Sequence, residues 1–427
     1  MLVFLLELII MHKLNTIYDV AVIGGGAAGL IAAGRAGELG SKVIVLEKNK
    51  TLGVKLLITG KGRSNLTRGE NNDKEFVKQY GREGDFLLSS FSKFGPKETI
   101  DFFEKKGLKL KTERGKRIFP VSDRAGDVLN VLINYCKKNN VEIKMNAEVR
   151  DIIKNRNTIS RIVLSNKEVI IAKNYIICSG GKAFPGTGST GDGYKWAEKF
   201  GHSVISPEPA LVPIKIKDSW VRKLQGLSLK NIEITVLQNN KKIDSRFGEL
   251  LFTHFGLSGP IILDLSGGVG EILKKGEVVL SLDLKPALDF NKLDKRLQSD
   301  FLKYNKKMFR NVFNDLLPQK LIPVFISLSK INPDKKINEI TREERHELVK
   351  LFKNIKMTVV SLLGFENAII TKGGISIKEI DSKTMRSKRI DNLFFAGEII
   401  NLHGPTGGYN LQLAWTTGFI SGENAAQ

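Results

Sequence analysis

Apolar residues along the chain follow distinct rhythms. Residues 18–48 hold two short apolar runs, Val20-Ala21-Val22-Ile23 and Val43-Ile44-Val45-Leu46, separated by three glycines and an alanine-rich stretch. Runs of four apolar residues, bounded by glycine and rich in β-branched side chains, predict strands buried on both faces. The stretch between them predicts a helix that stops at Gly40. Further on, Pro96 opens a second helix carrying Ile100, Phe102 and Phe103 and stopping at Gly107, and Val128, Leu129, Leu132, Tyr135 and Cys136 recur at helical spacing. From 141 to 178 the rhythm shortens to strand-length runs at 141–145, 149–153, 159–164, 169–172 and 175–178, as in a meander that returns to a main sheet. Residues 51–72, dense in Gly, Lys, Asn and Thr, read as a ligand-contacting loop.

Strand-like runs return beyond residue 200 as LVPIKI, IEITVL, GELLFTHFGLSGPIILDLS and VVLSLDL. Residues 285–356 become charged and helical, and Thr341 with Glu344 three positions later makes a capping box. Residues 368–377 read as a returning strand, and the end of the chain as a last strand, a glycine loop and a closing helix. The expected organisation is an extension at 1–17, a first α/β segment at 18–200, a β-rich segment at 201–284, a helical insertion at 285–356, a return to the β-rich part at 357–378, and completion of the first domain by 379–427.

Composition narrows the function classes. The 427 residues are 41% hydrophobic, enough for more than one core. The two cysteines, Cys136 and Cys178, have no paired spacing, and five scattered histidines form no metal-spaced pair, so neither a disulfide framework nor a metal centre is indicated. A reducing, cytoplasmic setting follows. The apolar start, MLVFLLELIIM, carries Glu7, lacks a basic flank and falls short of the roughly 20 residues that span a bilayer. It reads as an extension ahead of a start at Met11, the other reading being an anchor. The net charge of +22 raises the question of nucleic acid, but the lysines are spread along the chain without an arginine-rich tract. A generally basic surface fits better than a dedicated nucleic-acid site. The sequence leaves the oligomeric state open.

The first βαβ unit carries the clearest chemistry. In IGGGAAG, Gly24 makes the tight turn, Gly26 lets backbone approach a pyrophosphate, and Gly29 lets the helix pack against the sheet. The helix N-terminus offers free N–H groups and positive dipole to phosphate. Glu47, closing the second strand, is placed to accept hydrogen bonds from the adenosine ribose. NAD and FAD proteins share this fingerprint, so the far end must discriminate. There, Leu-Phe-Phe-Ala-Gly-Glu ends a buried strand at Glu398, and a helix opening near Asn410 directs its dipole at a bound group. A site split between the two ends of one chain suits FAD, with Glu398 toward the ribitol or pyrophosphate and the dipole favouring negative charge on reduced flavin.

IGGGAAG, LLITGKGRSNLT, CSGGKAFPGTGSTGDG, LLFTHFGLSGP and FAGEIINLHGPTGGYNLQLAWTTG, in that order, resemble a flavoprotein family labelled NAD(P)/FAD-dependent oxidoreductases or aminoacetone-oxidase-like enzymes. The resemblance runs from Tyr18 to nearly the end. It implies a Rossmann-like FAD-binding domain of the two-dinucleotide-binding-fold type, interrupted by a β-barrel-like domain and a small helical domain. It also implies that Gly24, Gly26, Ala28 and Gly29 hold the pyrophosphate, Glu47 and Lys48 the adenosine end, and Val149 the adenine through backbone. Gly60, Gly62, Arg63, Ser64 and Asn65 run beside the flavin, Arg63 supplying a fixed cation. Gly180, Gly181, Gly397, Glu398, Asn410, Leu411 and Gln412 complete the site. Family members often carry a cysteine where this chain has Ser64 and a larger residue near Leu413, so a thiol mechanism at 64 is not implied here.

A second GxGxxG, at Gly186, Gly188 and Gly191, has Glu208 downstream. Two readings fit it: an NAD(P)H site, or a loop beside flavin or substrate. Lys182 to Pro185 separate it from the preceding strand, and no clear strand carries Glu208, which favours the loop. His254, His403 and Tyr409 are proton-transfer candidates, each equally readable as structural. The expectation is an FAD oxidoreductase passing a hydride between flavin N5 and a small organic molecule, by amine oxidation or enone reduction, with NAD(P)H as transient donor in the second case. The competing classes are a flavin-dependent RNA-modifying enzyme and a non-catalytic FAD-binding sensor.

Overall fold

In a computed structural model, which describes residues 17–70 and 72–427, the chain divides into two compact units. One holds the residues up to Pro209 and those from Ile369 on, the other Ala210–Ala368. The N-terminal extension, save Ile17, lies outside the described residues.

In the first unit, β1 (Ile17–Ile23) pairs in parallel with β2 (Val43–Leu46) across α1 (Ala27–Glu38). The loop-like stretch after β2 instead opens with a helix, α2 (Val54–Gly62), which kinks at Thr59 where the φ/ψ angles leave the helical region. The strands β3 (Thr67–Arg68), β4 (Leu110–Glu113) and β5 (Arg117–Pro120) form a small antiparallel sheet in the order β3-β5-β4. Then α3 (Ala125–Lys138) leads to β6 (Glu142–Lys144), which adds to β2 in parallel. A meander of β7 (Val149–Asn155), β8 (Thr158–Leu164) and β9 (Val169–Ile177) returns to the main sheet beside β1. The runs 169–172 and 175–178 are thus one strand: Lys173 is exposed, but its backbone continues the ladder.

Helix α4 (Asp192–Lys199) and β10 (Val204–Ala210) close this part of the unit. The second unit is a closed barrel of β11 (Ile214–Ile216), β12 (Ser228–Gln238), β13 (Lys241–Phe252), β14 (Gly256–Ser258), β15 (Val279–Asp283) and β16 (Ile355–Leu362), in the order β11-β14-β13-β12-β15-β16. The strand-like GPIILDLS instead begins α5 (Pro260–Leu273), because Gly259 turns the chain at φ 96° and Pro260 sits where a first helical turn needs no N–H. The capped helix is Arg342–Lys353, and Thr341 and Glu344 make both bonds of the box. Leu293, Phe313, Phe325 and Phe352 from the helical stretch share one core with Ile234, Leu280 and Met357 of the barrel, so barrel and helices fold as one body.

The chain returns to the first unit through β17 (Ile370–Ile375), which pairs with β10 rather than with the barrel, and β18 (Leu393–Phe395), which adds to β9 in parallel. The parallel order is therefore β6-β2-β1-β9-β18, and it reverses direction between β1 and β9, where open α/β sheets bind ligands. The closing helix α6 (Tyr409–Ala425) packs on α1 almost backbone to backbone. A Cβ on Gly418 would fall 2.4 Å from the Ala28 carbonyl oxygen, and one on Gly422 2.2 Å from that of Ala32.

Candidate active site

The glycine turn after β1 divides its labour as the fingerprint requires. Gly24 takes φ 105°, and a Cβ there would lie 2.5 Å from the Cys178 carbonyl oxygen. A Cβ on Gly29 would come within 1.9 Å of the Gly24 carbonyl oxygen. At Gly26 a Cβ meets nothing within 4 Å. The first and third glycines close the turn against the protein, and the middle one faces open space. Gly26 also caps α1 without a side-chain acceptor, and the first turn, which contains Ala28, has no acid, so its N–H groups remain available to an anion.

Glu47 is buried and immobilised beside that turn. Its Oε2 accepts the Gly25 N–H at 2.7 Å and its Oε1 the Asn49 N–H at 2.8 Å, leaving acceptor capacity on each oxygen. The Ala147 N–H donates to the Glu47 carbonyl and the Asn146 N–H to that of Asn49, which ties the approach to Val149 to this corner. Lys48 binds Thr190 at 2.6 Å and Asp192 at 3.1 Å.

The other end gathers residues from four segments. Glu398 lies on the single turn Gly397–Ile399 that follows β18, so β18 stops short of it. Its Oε1 accepts the Thr371 N–H at 2.8 Å and its Oε2 accepts from Lys55 Nζ at 2.6 Å, and Lys55 also donates to the Ala183 carbonyl at 3.2 Å. Gly181 must be glycine, since its Cβ would lie 2.2 Å from Thr371 Oγ1. Gly397, at φ 79°, sits against the Ala28 methyl, and its N–H donates to Thr417. Gly180 takes φ 72° beside Ser189. Lys55 escapes sequence reasoning: it is one of the lysines in the stretch read as a loop, and its partner is 343 positions away.

Gly60, Lys61, Gly62 and Ser64 all take positive φ, which builds a sharply curled segment in which Lys61 and Ser64 hold a conformation that glycine adopts freely and they disfavour. The Ser64 Oγ and Asn65 Oδ1 are buried without a hydrogen-bond partner. Arg63 is a cation fixed by two carboxylates. Its guanidinium is held by Glu113 and by Asp123, the latter at 2.6 Å, and lies over Phe119. At the start of α6, Asn410 fixes the preceding loop by accepting the Gly404 N–H and donating to the Gly404 carbonyl, both at 2.9 Å. Leu411 packs partly buried, whereas Gln412 is fully buried and bonded to Thr67, Thr99 and Thr416. That engagement makes Gln412 an internal brace.

The proton-transfer candidates separate. Tyr409 is buried, its ring 4.6 Å from that of Phe76, and its carbonyl accepts the Tyr80 hydroxyl at 2.7 Å. His403 is half-buried, and burial followed by the Lys372 charge lowers its pKa. His254 is exposed in the other unit, on the turn between β13 and β14. In the second glycine motif, Gly191 precedes α4 at φ 81°, and Gly188 packs on Asn49, where a Cβ would meet the amide at 2.6 Å. Glu208 lies on β10 after all, 3.2 Å from Lys372.

The open cradle at Gly26, the unengaged N–H groups of α1, the fixed Glu47 and the Glu398 corner at opposite ends of the β1–β9 crevice fit one long dinucleotide. The fold and this site define an FAD-binding protein of the Rossmann class. A family model described as HI0933-like protein Rossmann domain matches residues 18–424, and the chain belongs to that family. The chain is 30% identical over 411 residues to a 3-dehydro-bile acid delta(4,6)-reductase of Clostridium scindens, covering 96% of this chain and 99% of that one. It is 28% identical over 408 residues to a ribosomal RNA dihydrouridine synthase of Escherichia coli, covering 95% and 98%. In fold it resembles a 3-ketosteroid delta1-dehydrogenase of Sterolibacterium denitrificans, with a TM-score of 0.55 at 13% identity over 96% of this chain and all of that one. The protein is an FAD-dependent oxidoreductase. Among the described residues no group of His, Cys, Asp and Glu could hold a metal ion, and no helix is long and apolar enough to cross a membrane.

Proposed function

We propose that this enzyme reduces a carbon–carbon double bond conjugated to a carbonyl, with NAD(P)H as the source of electrons. The observation that carries the reading is that two relatives matching nearly end to end are named for such bonds, one in a 3-keto bile acid, the other in the uracil ring that becomes dihydrouridine. Bound FAD supplies hydride transfer from N5. The chain's residues bind and orient: the α1 N–H groups with Gly26 take the pyrophosphate, Glu47 and Lys48 the adenosine end, and the Lys55–Glu398 pair the ribitol side. The N-terminus of α6, braced by Asn410, sets a positive dipole toward charge that grows on reduction. Reduction also consumes a proton at the carbon next to the carbonyl. His403, held neutral by burial and Lys372, carries one N–H and one lone pair, the combination a proton relay needs.

The relative named for ribosomal RNA raises a second substrate for the same chemistry, uridine within RNA, whose phosphates a chain of net charge +22 would tolerate. Amine oxidation, the aminoacetone-oxidase-like alternative, uses the same flavin in the opposite direction. Cys136 and Cys178 are free and buried, as suits the cytoplasm. The test is turnover of a conjugated steroid ketone and of uridine-containing ribosomal RNA with NADPH as electron donor, and of a primary amine with oxygen as electron acceptor, followed by mass spectrometry. Products that gain two hydrogens support the reading, whereas an amine converted to a carbonyl overturns it.

A further inference from the structure

Phe184 combines two features that rarely coincide. It is a large aromatic residue, 39% exposed, and it is held in the left-handed region at φ 57° and ψ 58°. Bulky side chains avoid that region, and such strain persists only where surrounding structure over-determines it, typically at binding or catalytic sites. Here the surroundings do so. Thr371 Oγ1 accepts the N–H groups of Lys182 at 2.8 Å and Ala183 at 3.0 Å, and Lys55 holds the Ala183 carbonyl. The Phe184 carbonyl accepts both the N–H and the hydroxyl of Thr187, at 2.9 and 2.7 Å.

The position of this residue is equally specific. The loop that carries it begins at Gly181, where a Cβ would stand 3.0 Å from Glu398 Oε1, and reaches Gly188, packed on Asn49 at the adenosine end. It therefore runs along the cofactor site from one end to the other. Lys55, which grips the loop, lies one helical turn before Ile58 on α2, so the two share a face, and Ile58 is itself 46% exposed. A strained aromatic residue directly after Ala183 and an exposed aliphatic residue one helical turn from Lys55 are thus both tied, through Lys55, to the Glu398 corner.

We propose that Phe184, with Ile58 one helical turn from the Lys55 that grips its loop, is the wall on which the substrate stacks, and that it selects a flat, largely apolar conjugated carbonyl ring. The proposal rests on the reading that the enzyme reduces such a bond. An aromatic face binds a planar conjugated system by dispersion and offset stacking, and a rigid backbone presents that face without ordering cost on binding.

The test uses holoenzyme titrated with 4-androstene-3,17-dione, followed by perturbation of the flavin absorbance, in the wild type, F184G and F184Y. Glycine adopts the left-handed region freely, so F184G is expected to keep its FAD and to melt at or above the wild-type temperature while binding the steroid about tenfold or more weakly. F184Y, which retains the ring, is expected to bind within about threefold of the wild type. An unchanged dissociation constant in F184G, loss of FAD or of several degrees of melting temperature in that variant, or absence of binding in the wild type would each overturn the proposal. Steroid binding that depends on Phe184 without reduction of the double bond would leave this inference standing and defeat the proposed reaction instead.

Discussion

Lys55 Nζ stands 2.6 Å from Glu398 Oε2 and joins residues 343 positions apart in the chain. The contact links α2 to the turn after β18, and through Ala183 and Thr371 it fastens the loop after β9 and the strand β17 to the same point. Removing the lysine leaves a half-buried carboxylate without its cation. In K55M, FAD affinity is expected to fall by about tenfold to a hundredfold, on the order of 1–3 kcal/mol. The flavin midpoint potential should also fall, because uncompensated negative charge opposes reduction. Fluorescence of released FAD and a spectroelectrochemical titration measure the two effects, and K55M matching the wild type in both would refute the role.

Gly26 and Gly29 separate ligand space from packing space. G26A adds a methyl where nothing lies within 4 Å, at φ −86°, which any residue adopts, so FAD-free protein should melt within about 2 °C of the wild type. Its FAD affinity should fall at least about tenfold, because the methyl occupies the approach of the pyrophosphate. G29A instead drives a methyl to 1.9 Å from the Gly24 carbonyl oxygen and should cost about 3 kcal/mol or more of stability. Thermal melts with and without FAD distinguish the pair, and equal stability loss in both would contradict the assignment.

Ser64 buries a hydroxyl that no protein group bonds. A thiol tolerates such a site because it forms weak hydrogen bonds and behaves as a small apolar group. S64C is therefore expected to stabilise the protein by about 1 kcal/mol, raising the melting temperature by about 2 °C. A lower melting temperature in S64C would mean that the hydroxyl has a partner.

Glu379 is the group whose titration should be visible in stability. Burial alone would raise its pKa, but Arg389, with the N–H and hydroxyl of Ser203, overrides that and draws it down to about 2 from the ordinary 4.5. Its carboxylate also faces the buried ring of His202, whose other nitrogen lies 2.8 Å from Ser387 Oγ. Since the folded value lies below the unfolded one, the unfolded chain binds more protons between pH 4.5 and 2. The stabilisation is complete above pH 4.5 and is lost as the pH falls toward 2. E379Q should be less stable than the wild type at pH 6 and should flatten the acid limb of a denaturation series. Parallel limbs in the two proteins would contradict this.

The parts of the site that were legible in the sequence are those whose physics is local. Gly24 turns the chain through its own φ angle, Gly29 packs on the Gly24 carbonyl, Gly26 leaves open space, and Glu47 bonds the Gly25 N–H of the same turn. Glu47 and Glu398 stand out in the sequence because each follows a short apolar strand beside a recognisable turn. Lys55, Thr371 and Phe184 were not legible, because their meaning lies in partners from remote segments. The carboxylates that fix Arg63, Glu113 and Asp123, are remote in the same way. The pairing of β17 with β10 and the helix beginning at Pro260 likewise follow from tertiary context that overrides the local pattern.

The central claim is tested most directly by reducing the purified holoenzyme anaerobically with NADPH, removing excess donor, and mixing it with candidate acceptors while the flavin absorbance is followed. A conjugated steroid ketone or uridine-containing ribosomal RNA is expected to restore the oxidised spectrum, with one double bond reduced per flavin, while a saturated ketone leaves it bleached. Failure of every conjugated acceptor to reoxidise the flavin, together with bleaching of the oxidised enzyme by a primary amine, would contradict the account.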